Sequence, residues 1–174
     1  MRADPEFEKL VDLHYAPLYR FAFTLTRRED DACDLTQQTF WIWADKGHQL
    51  RDRTKVKSWL FTTLHREFLA RHRKIIKMPE VEWGDEPYDL PENAPLPFEC
   101  ADHPAVVGAV AQIDEPFQAV IALFYLEDYT QQEIADILKV PLGTVKSRIS
   151  RGIVQLQQLL VKCDRVTTRK EICG

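Results

Sequence analysis

Residues 125 to 152 read YLEDYTQQEIADILKVPLGTVKSRISRG, and the way this stretch divides decides the fold. Thr130-Gln131-Gln132-Glu133 has the form of a capping box, in which two residues each satisfy the other's exposed backbone N–H, so a helix starts there. Ile134, Ile137 and Leu138 give that helix an apolar side. Val140-Pro141-Leu142-Gly143 then breaks the pattern, and a second helix follows from about Thr144. Helix, short turn and helix in that order make a helix-turn-helix.

At about 100° per residue, Val145, Ile149, Ile153 and Leu156 form one apolar stripe on the second helix. Gly152 falls at its edge, where a small residue permits close packing. The opposite face carries Ser147, Ser150 and Arg151, flanked by Lys146 and Arg148. Two hydroxyls and three cations in the first turns suit phosphate contacts and hydrogen bonds to base edges in a major groove. A solvated basic face of an ordinary surface helix has the same composition, so the face alone leaves both readings open.

Working outward, residues 116 to 126 form an apolar helix, and the N-terminal flank is helical too. Phe7, Leu10, Val11, His14, Leu18, Phe21 and Leu25 recur at helical spacing. Glu29-Asp30-Asp31 sits where a second helix starts, each acid there stabilising the helix dipole by roughly 0.3–1 kcal/mol. From about Asp31 to Lys46 the inward stripe is Ala32, Leu35, Thr39, Ile42 and Trp43, which leaves Asp34, Gln37, Phe40, Trp41 and Ala44 outside it. Exposed aromatics beside Asp and Gln mark either a partner surface or a face packed on a neighbouring helix.

A third helix, from about Lys55 to Lys74, packs Val56, Leu60, Phe61, Leu64 and Phe68 and turns Trp59, Thr62, Arg66 and Arg73 to another side. Residues 51 to 74 hold 8 basic and 2 acidic side chains. Trp59 either stacks on a base lifted from a duplex or belongs to the core, in which case only the arginines face nucleic acid. No clean period-two strand appears, so the expected fold is all-α.

The chain has 174 residues, 45% of them apolar and 29% charged, with a mean hydropathy of -0.33, values of a folded chain without a membrane span. The N-terminus is polar and no signal-peptide core follows it, so the expected location is the cytoplasm. Net charge is -4, but it is unevenly spread. Residues 1 to 74 hold 14 basic and 11 acidic groups, residues 75 to 115 hold 1 and 10, and residues 116 to 174 hold 8 and 6. The acidic middle also carries Pro79, Pro87, Pro91, Pro95, Pro97 and Pro104, which no helix or strand sustains for long. Two small helical domains, residues 1–75 and 105–174, joined by an acidic Pro-rich linker over 76–104, are the expected organisation.

Enzyme chemistry finds little support. His14, His48, His65, His72 and His103 lack metal-ligand spacing, and Cys33, Cys100, Cys163 and Cys173 form no CxxC pair. Cys100-Ala101-Asp102-His103 is the one mixed cluster, a weak signal for a metal. Phosphate-loop and nucleophile-elbow motifs are absent. The expectation is a non-enzyme without cofactor or metal. Two other readings stay open: a stand-alone regulator that uses only the helix-turn-helix, and a nucleic-acid enzyme or redox sensor built on Cys163 and Cys173.

Three stretches together resemble the extracytoplasmic-function class of bacterial sigma-70 factors over nearly the whole chain. DLTQQTF at residues 34 to 40 resembles the family's DLTQETF run, WLFTTL at 59 to 64 its promoter-melting segment, and VPLGTVKSRISR at 140 to 151 its string VPxGTVKSRxxR. The resemblance implies a sigma factor that binds core RNA polymerase through the beta-prime clamp helices and the beta flap. By it, Asp34, Gln37, Gln38 and Phe40, with the adjacent Trp41, contact polymerase. Trp59, Thr62, Arg66 and Arg73 fall to the -10 element, and Lys146, Ser147, Arg148, Ser150 and Arg151 to the -35 element. It also implies an anti-sigma partner, and a linker that threads toward the RNA exit path. The chain departs from the common ARNLAIDHLRR pattern: Arg66 replaces the usual Asn and Ala70 the usual Asp, so its -10 preference departs as well.

Overall fold

A computed structural model of the chain describes residues 5–77 and 104–171, and among them every regular element is a helix. The acidic linker expected over 76–104 lies almost wholly outside the described residues, as does the Cys100–His103 cluster. Helices α1 (Pro5–Thr26), α2 (Glu29–Lys46) and α3 (Val56–Lys77) form the N-terminal half; short 3-10 turns at Gly47–Gln49 and Arg53–Lys55 lead from α2 into α3. The C-terminal half is α4 (Pro104–Gln112), α5 (Glu115–Tyr125), α6 (Gln131–Leu138) and α7 (Leu142–Glu171).

Apolar periodicity places the core where expected. Leu18 and Phe21 of α1, Ala32 and Leu35 of α2, and Leu60, Phe61 and Leu64 of α3 are all buried. The polar residues that share this core answer their own hydroxyls: Thr36 donates to the Ala32 carbonyl at 2.7 Å and Thr39 to the Leu35 carbonyl at 2.8 Å. Such back-bonding satisfies a buried group that otherwise costs on the order of 1–3 kcal/mol.

In the C-terminal half, α4 was not foreseen, since the linker was drawn up to residue 104 and no helix was read before 116. Its Val107, Val110 and Ala111 are buried. Gln118, in the middle of apolar α5, is 1% exposed and ties α4 down: its amide donates to the carbonyls of Ala111 and Ile113, both at 2.9 Å. Gln155 of α7 clamps the same corner, donating to Asp114 Oδ2 at 2.6 Å while its own oxygen accepts from the Asp114 N–H at 3.0 Å.

The halves meet along α1 and α3, and their buried residues form one continuous cluster. α5 and α4 pack on α1, and α6 packs on α3. Phe61 lies 5.3 Å from Phe21 of its own half and 5.5 Å, edge to face, from Tyr129 of the other. His65 on α3 is held down to about 4, chiefly by burial and secondarily by the Arg148 guanidinium on α7.

Two measurements test this packing. A Cβ on Gly152 would sit 2.5 Å from Ile121 Cγ1, whereas one on Gly143 would meet nothing within 4 Å. Gly152→Ala is therefore expected to lose about 1–3 kcal/mol in chemical denaturation, and Gly143→Ala to be neutral or up to about 1 kcal/mol more stable; equal losses refute the close approach. For His65 the folded value lies below the usual 6.5, so its contribution is fully present above pH 6.5 and is lost as pH falls toward 4. Across that window wild type should lose on the order of 1.4 kcal/mol per pH unit more than His65→Gln, and parallel pH profiles refute the burial of a neutral imidazole.

Candidate nucleic-acid and partner interfaces

The helix-turn-helix is built by local bonds that the sequence announces. Glu133 N–H donates to Thr130 Oγ1 at 3.3 Å, while the Thr130 N–H and hydroxyl donate to Glu133 Oε2 at 2.8 and 2.7 Å, which completes the capping box. Those bonds hold the Glu133 carboxyl below its ordinary range. The turn differs from expectation in one respect. The break expected over Val140–Gly143 is shorter: α7 begins at Leu142, so Gly143 lies inside its first turn, and the left-handed residue is Lys139, at φ 56°. Pro141 is the pivot, since its carbonyl accepts from the N–H groups of Thr144 and Val145 at 2.9 and 3.1 Å.

On α7, Val145, Ile149, Gly152 and Leu156 are buried, with Ile153 partly so, as the stripe requires. Lys146, Ser147, Ser150 and Arg151 are exposed together on the other side. The Ser147 hydroxyl donates to the Thr144 carbonyl at 3.0 Å, so its oxygen remains an acceptor while its proton is engaged. Arg148 does not share the open face fully: it is half-buried and near enough to His65 to depress it. Four of the five residues expected to meet duplex DNA thus form one open basic face, and the fifth sits at its edge toward the other half.

On α3, Trp59, Thr62, Arg66 and Arg73 fall within about 60° of one another around the helix axis. Arg66 and Arg73 are exposed. Arg66 lies 3.6 Å from Glu67, and Arg73 Nε donates to the Leu69 carbonyl at 3.2 Å. Thr62 and Trp59 are half-buried, and the Trp59 ring packs edge to face on Trp43 at 5.1 Å. Of the two readings of Trp59, core residue or base platform, the packing here is that of a residue on the core's margin.

On α2, Asp34, Gln37 and Trp41 are exposed, Trp41 by 66%, and their i, i+3, i+7 spacing puts them on one face; Gln38 is half-buried beside them. Phe40 departs from its expected exposure. It is 6% exposed and stacks on Tyr15 of α1, ring centres 6.2 Å apart. Of the two readings of the outer aromatics, packing on a neighbouring helix holds for Phe40, and periodicity within α2 could not choose it because that neighbour is α1.

A cluster between the halves has no local signature in the chain. Glu127, at the turn after α5, is buried and meets Arg20 Nη2 at 2.9 Å and Lys57 Nζ at 3.5 Å. Its partners lie 107 and 70 residues away in the chain, beyond any local pattern. Among the described residues no group of His, Cys, Asp and Glu is arranged to hold a metal, and no helix is long and apolar enough to cross a membrane.

Residues 10–75 match the sigma-70 region 2 family and residues 109–158 the sigma-70 region 4 family. The ECF RNA polymerase sigma factor RpoE of Cereibacter sphaeroides is 31% identical over 172 residues, covering 90% of this chain and 87% of that protein. The ECF RNA polymerase sigma factor SigE of Mycolicibacterium smegmatis is 35% identical over 168 residues; the match takes in 92% of this chain but only 63% of SigE. Among solved structures, the sigma factor RpoE of Bartonella quintana, in complex with the anti-sigma factor NepR, superposes with a TM-score of 0.73 at 28% identity, over 90% of this chain and 98% of that one. A second match, CnrH in complex with the cytosolic domain of CnrY, has a TM-score of 0.61 at 20% identity and is a likeness of fold. With an ECF sigma factor matched over nearly the whole chain and both region families in order on described residues whose regular elements are all helices, the protein belongs to the extracytoplasmic-function class of sigma-70 factors, which direct RNA polymerase to specific promoters.

Proposed function

We propose that this sigma factor divides its work between its halves: residues 1–75 bind core polymerase and open the -10 element, residues 105–174 read the -35 element, and residues 76–104 link them. The observation that carries the reading is the open face of α7, where Lys146, Ser147, Ser150 and Arg151 stand exposed around a buried stripe at the start of a helix. Helix N-termini and cations hold phosphates, while hydroxyls and a guanidinium address base edges. Arg148 joins them once it leaves His65. On α3, Arg66 and Arg73 take phosphates at the -10 element, with Thr62 and Trp59 at the edge of the opened strand.

Polymerase binds the Asp34, Gln37, Gln38 and Trp41 face of α2 through the beta-prime clamp helices, with Trp41 as the apolar anchor and its polar neighbours fixing orientation. Phe40 contributes from below, by holding α2 on α1. The C-terminal half meets the beta flap. Catalysis stays with the polymerase, and the protein acts in the cytoplasm where that enzyme works. An anti-sigma protein is its expected restraint, in keeping with the complexes in which RpoE of Bartonella quintana and CnrH were solved.

The test is a fluorescence titration of the full chain with core bacterial polymerase, beside one with random duplex DNA. Tight polymerase binding, weakened at least about tenfold by Trp41→Ala and by Asp34→Ala together with Gln37→Ala, is expected, since such anchors each contribute about 1–2 kcal/mol or more. Strong unaided DNA binding without polymerase binding would return the stand-alone regulator.

A further inference from the structure

Glu127 follows α5 directly in the turn that feeds the helix-turn-helix, and its side chain is only 3% exposed. The two cations that neutralise it come from the opposite half. Arg20 Nη2 of α1 donates to Oε1 at 2.9 Å, and Lys57 Nζ of α3 lies 3.5 Å from Oε2. Lys57 also donates to the Glu127 carbonyl at 3.4 Å and lies 4.8 Å from the Tyr129 ring centre, so a single ammonium joins α3 to the backbone, the carboxylate and an aromatic ring of the other half. Further cross-links flank it: Arg27 donates to the Ile113 carbonyl at 3.2 Å, and His72 lies 3.9 Å from Glu115.

This closed arrangement cannot read a promoter. On the function proposed above, the elements that the halves read are centred about 25 base pairs apart, or about 85 Å of duplex at 3.4 Å per pair. A compact chain of this length has a radius of gyration of only about 16 Å, and here α6 rests on α3 itself. Every contact between the halves must break before both elements are engaged. A carboxylate buried between two cations gains little net free energy while both stay in place, but withdrawing one is strongly disfavoured, because the buried carboxylate is left short of a partner. A cluster of that kind holds or releases as a unit.

We propose that Glu127, clasped by Arg20 and Lys57, is the latch of an autoinhibited closed state of the free sigma factor. The latch lowers the fraction of molecules competent to span a promoter, so apparent affinity for the polymerase–promoter assembly falls by that fraction. Opening gives Glu127, Arg20 and Lys57 back to solvent and lifts Arg148 away from His65.

The test compares wild type, Glu127→Arg, a full charge exchange that combines Glu127→Arg with Arg20→Glu and Lys57→Glu, and Lys57→Gln by small-angle X-ray scattering of the full chain, with helical content followed by circular dichroism. Wild type should be compact; Glu127→Arg should be extended at unchanged helical content; the full exchange, which restores the cluster with every sign reversed, should be compact again. In single-round transcription with core polymerase, Glu127→Arg should form open complexes about tenfold faster, and the full exchange at the wild-type rate. Compact Glu127→Arg, or a full exchange as extended as the single variant, overturns the latch. If Glu127→Arg loses its helices, Lys57→Gln decides, since Lys57 is 40% exposed and its loss leaves each half's core intact: extension supports the latch and a compact molecule overturns it. Scattering reads the latch without polymerase, so a failure of the sigma reading would appear only in the transcription arm.

Discussion

Phe61 is fully buried, yet the two rings that cover it belong to different halves of the chain, Phe21 on one side and Tyr129 on the other. That division follows from size. A helical unit of about 70 residues buries a smaller share of its surface than a larger domain and is marginal alone, so three helices leave an apolar face that something must cover. In this structure α5, α6 and the turn between them cover it, and the helix-turn-helix is thereby laid against α3. The placement of the reading helix is a consequence of how the first half completes its core.

What the sequence disclosed and what it withheld divide along the same line. The stripe of Val145, Ile149 and Leu156, the capping box at Thr130 and the inward set Leu60, Phe61, Leu64 and Phe68 were legible because each depends on spacing within one helix. Phe40 stayed open between a partner surface and internal packing because its cover, Tyr15, comes from α1. Helix α4 escaped notice because its nine residues offer two turns of small apolar side chains beside a proline-rich segment, with its anchor, Gln118, in the next helix. The Glu127 cluster was illegible for the same reason at greater range. The candidate site was accordingly legible as faces of helices, and illegible wherever one face turns toward another half.

Charge shows the same split between local and assembled information. A net charge of -4 argues weakly against nucleic acid until it is resolved along the chain, where residues 51 to 74 are strongly basic and the excess acid sits between 75 and 115. Folding redistributes it again. Arg20 and Lys57 would count toward a basic first half, but in the closed form they are spent on Glu127, and Arg148 is half-buried beside His65. Arg66 and Arg73 on α3, and Lys146 and Arg151 on α7, stay exposed.

The chemistry of the junction also bears on why it is ionic at its centre. An apolar seam of equal area would stabilise closure in proportion to the surface hidden, and separation would expose that surface to water at full cost. A carboxylate with two cations gains little net free energy from burial, because what attraction supplies desolvation largely removes. On separation each charge regains its hydration, so the open form is not penalised by exposed apolar surface at that point. Such a centre sets the geometry of closure through directional bonds to Arg20 and Lys57 while keeping the free-energy gap between closed and open small. Phe61 against Tyr129 supplies part of the apolar share, which continues where α4 and α5 pack on α1 and α6 on α3. A molecule that must be compact when free and extended when engaged needs that combination, since a gap of a few kcal/mol is what a binding partner can overcome through its differential affinity for the two forms.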